Sequence, residues 1–300
     1  MSIQEPFSHL TSVGKFSQCS SVKPAETGKN GLIRFGQINF INVLPLTMPL
    51  LASQDHSQVE FVLDTPSALN KSFEEGNLDV SAMSSFYFLQ NGNLELVPLI
   101  SIASKGAVGS VLFFADRPLA LLQRCKIAIT SASATSVNLL KVLFAEKIGF
   151  IPEFVICDEP EINAEFAGAL VIGDRALAFD QNWDARSGDS VGNSVRVDLG
   201  VWWFEAFSLP MVFGVWAARK QFVESNRVRF EKLCSDLRDC FDVGLSAQFA
   251  AVVAEASRRT GLSSQRLSVY YRQELNFDLT AEHLKGLELY RTLCLKHRLL

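Results

Sequence analysis

The chain has 300 residues, of which 48% are hydrophobic and 20% charged, and its formal net charge is -4. That apolar share can fill a substantial core, so disorder, a collagen-like repeat and a small disulfide scaffold are excluded. No Lys/Arg cluster exceeds two adjacent residues, which argues against nucleic acid as a partner.

Residues 1–31 read as a flexible polar leader without the apolar core of a secretory signal, and a cytosolic location is expected. Residues 33–38 form the first predicted strand, ending in the turn Asn39-Phe40-Ile41-Asn42, after which Pro45 can open a helix. A second strand covers 59–63. Thr65-Pro66 then starts a helix with Thr as cap and Pro in its first turn, and Gly76-Asn77 ends it. Strands follow at 78–82, 94–102 and 111–115, with a helix capped by Ser84-Ser85 between the first two. The most apolar stretch, 94–115, is interrupted by Ser101, Ser104, Lys105 and Ser110, so no membrane span is expected. The pattern restarts with strands at 126–130, 152–157 and 169–172. A Ser-rich loop leads into a helix over 137–147, and Gly173-Asp174-Arg175 precedes a short helix. Residues 180–193 read as a surface loop, 210–217 as an apolar strand, and everything from Arg219 onward as almost wholly helical.

Strands alternating with helices predict an α/β protein with largely parallel sheets. The apolar segments 108–115 and 209–217 bracket the middle unit, which therefore reads as an insertion into the first. The expected lobes are 32–115 plus 212–300, with the helical C-terminal region in the first lobe, and 116–211, with a ligand cleft between them.

Small polar residues gather where the predicted strands end: Asn39 and Asn42, Ser84 and Ser85, Ser131, Ser133, Thr135 and Ser136, and Gly173 with Asp174. Ligands of open α/β sheets bind at such ends, and helix starts favour carboxylate or phosphate. Helix capping explains any one of these turns; several facing one cleft point to an anion site. Asp174 beside Arg175 reads as a cap or half of an ion pair more readily than as a base. His9, His56, His283 and His297 lie outside the motif turns, which disfavours a histidine base. The six cysteines contain no C-x-x-C, so reduced thiols and no structural metal are expected. Nucleotide, zinc-hydrolase and serine-esterase motifs are missing.

The runs 36–46 (GQINFINVLPL), 104–111 (SKGAVGSV), 130–136 (TSASATS), 170–177 (LVIGDRAL), and 198–200 (DLG) followed by 209–216 (LPMVFGVW) together resemble the chorismate dehydratase family of menaquinone biosynthesis. The resemblance implies a two-lobed fold like that of type II periplasmic binding proteins, used as an enzyme. It implies a carbon–oxygen lyase of the futalosine route that converts chorismate to 3-[(1-carboxyvinyl)oxy]benzoate and water, with no cofactor and no metal. By the same resemblance, Asn42 orients the substrate or its leaving hydroxyl and Ser110 supplies a hydrogen bond near the hinge. Ser133, Thr135 and Ser136 bind a carboxylate, Ser84 and Ser85 line the opposite wall, and Asn39 and Asp174 complete the binding set. The expected partner is chorismate, and a homodimer is allowed.

The chain departs from the family pattern at Lys105, Ala107 and Ala134. Where the family often has Arg at the position of Ala134, a possible carboxylate partner is lost, and either Lys105 compensates or binding is weaker. The apolar segment Val201-Trp202-Trp203-Phe204 is a further departure, expected to mark a buried interface or a changed cleft rim. A solute-binding protein of the same architecture, taking a small carboxylate, is the competing reading. The later dihydroxynaphthoate-forming enzyme of the pathway is disfavoured because its characteristic opening motif is missing.

Overall fold

The computed structural model describes residues 31–53, 59–183 and 194–300. His9, Cys19, His56, the leader up to residue 30 and most of the expected loop 180–193 lie outside the described residues.

Two mixed sheets form the frame. The first holds β1 (Ile33–Ile38), β2 (Val59–Asp64), β3 (Val80–Ser84), β4 (Leu94–Ser104), β10 (Met211–Arg219) and β11 (Asn276–Leu279), in the order β11-β4-β10-β3-β1-β2. The second holds β5 (Val111–Ala115), β6 (Lys126–Ile129), β7 (Glu153–Ile156), β8 (Gly168–Ile172) and β9 (Val195–Asp198), in the order β7-β6-β8-β5-β9. Strands β1, β2 and β3 pair in parallel, as do β6, β7 and β8. The strands on either side of the crossovers pair antiparallel: β10 with β3 and β4, and β5 with β8 and β9.

The sheet pairing moves one expected lobe border. Residues 111–115 were expected at the end of the first lobe, but Val111–Ala115 sits inside the second sheet, between β8 and β9. The chain leaves the first sheet earlier, through Gly106 (φ 111°) and Gly109 (φ 66°), a backbone path that L side chains rarely follow. The return crossover ends at Met211, where β10 begins. Two further departures concern short strands. β9 lies in a stretch where no strand was expected, and β11 interrupts a region expected to be almost wholly helical, pairing with β4 at the sheet edge.

Helices follow the local chemistry of their ends. In α1 (Leu44–Ala52), Pro45 stands in the first turn and nearly every residue is buried. α2 (Pro66–Glu74) is capped by Thr65, whose hydroxyl accepts from Ala68 N–H. Ser84 caps α3 (Ser85–Gln90) and Ser133 caps α4 (Ala134–Leu143), which continues as a π-turn to Ile148. Gly173 opens α5 (Gly173–Gln181), and Asp198 caps α6 (Leu199–Phe207). The C-terminal region adds α7 (Lys220–Ser225), α8 (Arg227–Leu245), α9 (Phe249–Thr260), α10 (Ser264–Val269) with a π-turn at Tyr270–Glu274, and α11 (Ala281–Lys296). This region is more than an appendage to the first lobe. Tyr290 of α11 donates to Thr135 O at 3.1 Å, and Lys296 and His297 both reach Glu146 in the second lobe.

The apolar segment 201–204 is also resolved by this packing. Trp203 is fully buried against Phe207 and Tyr290, filling the interior between α6 and α11, while Trp202 is half-buried and meets Phe144 of the π-turn edge-on. No described helix is long and apolar enough to cross a membrane.

One buried polar chain ties the first sheet to the turn before α1. Trp216 Nε1 donates to Gln37 Oε1 (2.9 Å), Gln37 Nε2 donates to Thr47 Oγ1 (2.9 Å), and Thr47 Oγ1 donates to Val43 O (2.9 Å). Gln37 is fully buried, so removing it leaves an indole N–H and a hydroxyl with no water to turn to. Gln37→Leu should lower unfolding stability by about 2 kcal/mol, and Thr47→Val by less, in urea denaturation.

Candidate functional site

A cleft of about 730 Å³, open mouth included, lies between the two sheets. Its walls come from the ends of β1, β3, β6 and β8, the start of β5 and the middle of β10. Asn42, Ser84, Ser110, Ser133 and Ser136 supply side-chain polar groups, and Ile38, Phe40, Ile102, Val111, Phe213 and Trp216 supply apolar surface. No charged side chain lines it among the described residues.

Each polar group is placed by a local requirement. Ser84 Oγ accepts from Tyr87 N–H (3.2 Å), and Ser133 Oγ accepts from Ser136 N–H (3.2 Å). A capping hydroxyl spends a lone pair on the helix and keeps its proton for a ligand. Ser133 Oγ and Ser136 Oγ lie 2.9 Å apart, so one proton is shared between them and the other is left over. Asn42 sits in the 3-10 turn Ile41–Val43; its Oδ1 is buried and has no hydrogen-bond partner among the described residues. A buried acceptor left without a donor costs free energy until something supplies one.

Ser110 is held from three directions. Its carbonyl accepts from Gly173 N–H (2.7 Å), its Oγ accepts from Tyr270 O–H (3.0 Å), and its own proton faces Val108 O at 3.4 Å, a long contact. Behind this segment lies Asp198, whose carboxylate accepts from the N–H groups of Val108, Gly109, Gly200 and Val201 at 2.8–3.2 Å. Burial pushes the Asp198 carboxyl above its ordinary value, and these backbone N–H groups pull it back. One side chain thus joins the outgoing crossover to the cap of α6 on the return path.

Four of the sequence-derived site residues do not reach the cleft wall. Asn39 is exposed, and its Oδ1 accepts from Arg259, which is itself held by Glu255. Ser85 is wholly buried in the first turn of α3, one residue past the capping Ser84, where the helix rotation turns it inward. Thr135 is likewise buried, with Oγ1 accepting from Phe86 N–H (2.9 Å), so it joins α4 to α3 across the lobes. Asp174 accepts from Ile41 N–H (3.2 Å), bridging α5 to the turn that carries Asn42. Burial raises the Asp174 carboxyl, while Ile41 N–H and nearby Arg259 oppose the shift. Lys105 does not replace a cleft charge either: its ammonium pairs with Glu282 on α11 at 3.1 Å, among exposed groups. No cluster of three or more His, Cys, Asp or Glu side chains fit to hold a metal occurs among the described residues.

Two supports were missed at the level of sequence. Asp198 belongs to a quoted run, but nothing in the spacing relates it to residues 108 and 109. Tyr270 and Tyr271 fall in a helical stretch with no turn signal; Tyr271 O–H donates to Ile41 O at 2.7 Å, beside Asn42.

The match to a family model described as "Menaquinone biosynthesis" runs over residues 33–296. The chain belongs to the chorismate dehydratase family of menaquinone biosynthesis. It is 32% identical over 214 residues to chorismate dehydratase of Thermus thermophilus, an alignment covering 68% of this chain and 76% of that protein. It is 28% identical over 172 residues to 1,4-dihydroxy-6-naphtoate synthase of the same organism, covering 55% of this chain and 57% of that protein. The fold is that of periplasmic binding proteins. A Candida albicans protein described as having the generic periplasmic binding protein fold superimposes with a TM-score of 0.56 at 10% identity, over 88% of this chain and 94% of that one.

Because Asp198 is an acceptor for four N–H groups, Asp198→Ala should cost about 3 kcal/mol or more in urea unfolding. Asp198→Asn should fall between, since its amide keeps one acceptor and turns a donor toward backbone donors. A pH effect should come from Glu255. The Arg258 and Arg259 hydrogen bonds hold its carboxyl at about 2, below the ordinary 4.5. This contribution is present above pH about 4.5 and is lost as pH falls toward 2, so Glu255→Gln should flatten the acid side of a stability profile in that window.

Proposed function

We propose that this protein dehydrates chorismate to 3-[(1-carboxyvinyl)oxy]benzoate and water. The observation that carries this reading is the buried, unpartnered Oδ1 of Asn42 in a cleft whose other side-chain polar groups are serine hydroxyls. With both carboxylates ionised, chorismate has a single hydrogen-bond donor, its C4 hydroxyl, and that hydroxyl is the leaving group. An acceptor waiting for one donor beside several donors waiting for acceptors is complementary to such a molecule.

The chemistry follows from the substrate. Loss of the C3 hydrogen and the C4 hydroxyl aromatises the ring, so the step runs downhill with no change of redox state. The C3 proton is conjugated through a ring double bond to the ring carboxylate. Hydrogen bonds from Ser84 and from the free proton of the Ser133–Ser136 pair to that carboxylate would stabilise the carbanion-like charge developing on it. The enolpyruvyl carboxylate, folded over the ring, takes the C3 proton. That proton and the departing hydroxide then leave as water, while Asn42 and Ser110 hold the hydroxyl in line. Phe213, Trp216 and Ile102 enclose the ring, and the protein acts by positioning. The cytosol is the compartment consistent with this reading.

Incubating the purified protein with chorismate and following diene absorbance together with product mass tests it. The expected result is loss of one water per substrate; chorismate bound but unconverted would favour a binding protein instead. Asn42→Ala should lower kcat by about 10²–10³-fold with little change in Tm. Unchanged turnover in that variant would remove Asn42 from the mechanism.

A further inference from the structure

The reaction reading gives Ser110 a donor role but does not explain why its proton should point at a ligand. A serine hydroxyl rotates freely unless a partner fixes its lone pairs. The π-turn Tyr270–Glu274 supplies that partner from 160 residues away.

Tyr270 is fully buried, and its phenol donates to Ser110 Oγ at 3.0 Å. It has no place on the cleft wall, since the lining on that side is Val108, Ser110 and Val111. Burial pushes its ionisation well above the ordinary tyrosine value, so it remains a donor. With one Oγ lone pair occupied by that proton, the serine must donate elsewhere, and its acceptor among the described residues is Val108 O at 3.4 Å. A ligand oxygen in the cleft at an ordinary O–H···O distance of about 2.7 Å would win the proton.

The turn is fixed on its other sides as well. Glu274 pairs with Arg266 at 2.9 Å, and a Cβ on Gly109 would collide with that carboxylate, so the π-turn and the crossover are in direct contact. Tyr271 O–H holds Ile41 O. Single π-turns inside helices are frequent at functional sites, where one extra residue per turn re-aims a side chain. Here the two adjacent tyrosines address the two loops that carry Asn42 and Ser110.

We propose that Tyr270 is a positioning residue for the reaction, holding Ser110 as a hydrogen-bond donor to the bound substrate. This rests on the chorismate reading above. It needs no contact between Tyr270 and substrate.

The experiment is a double-mutant cycle on the full chain with chorismate, using Tyr270→Phe, Ser110→Ala and both together, with kcat, KM and Tm for each. Phe keeps the ring and removes only the hydroxyl. The expected result is a fall in kcat of about three- to tenfold in Tyr270→Phe, a smaller change in KM, and no further fall when Tyr270→Phe is added to Ser110→Ala. Full turnover in Tyr270→Phe would overturn the proposal, as would losses that multiply in the double variant, since those would mark a structural role independent of Ser110. A wild-type protein that leaves chorismate intact would overturn the reaction reading and this proposal with it. An active wild type with an indifferent Tyr270→Phe would overturn the positioning role alone.

Discussion

The carboxylate of Asp198 is the constraint on which the site depends. Two connections pass between the sheets, and a protein with two crossovers has to fix how they lie against each other before any cleft between them has a shape. Asp198 does so by accepting two N–H groups from the outgoing connection and two from the start of α6. Both oxygens are filled by donors, so the geometry calls for the ionised form despite the burial that opposes it. Ser110 lies one residue beyond this clamp, and its orientation is inherited from it.

The same logic of donors and acceptors extends into the cleft. No charged side chain lines the cleft among the described residues, and serine protons and helix starts can serve an anion without the cost of burying a cation unpaired. Arg259, whose charge acts on Asp174, is occupied by Glu255 and Asn39, Arg175 by Glu161 and Lys105 by Glu282. These three cations are paired outside the cleft wall.

Much of this architecture was legible because it rests on local signals. Thr65-Pro66, Ser84 and Ser133 mark helix starts by their side chains alone, and the strands 126–129 and 168–172 are short, mostly apolar runs, while 33–38 ends in the turn signal Asn39-Phe40-Ile41-Asn42. Which residue of a polar turn faces a ligand was not legible. Ser84 and Ser85 are neighbours of the same type, yet one caps at the cleft and the other is buried, a difference set by helix phase to within one residue. Thr135 and Ser136 are both buried, yet of the two Ser136 lines the cleft. β9 and β11 escaped because each is only four residues long and takes its stability from strands far away in sequence. The partners of Asp198 and Tyr270 are long-range facts of topology, with no trace in spacing.

The separation between Ser110 and Tyr270 also has a temporal meaning. During synthesis the chain emerges from its N-terminal side, so β1 to β10, with both crossovers and the clamp between them, are available before the π-turn exists. The loop bearing Asn42 and the loop bearing Ser110 would first meet their tyrosine supports only after residues 270 and 271 have been made. A chain that stops before Tyr270 would carry the walls of the site without the two phenol groups that hydrogen-bond its loops.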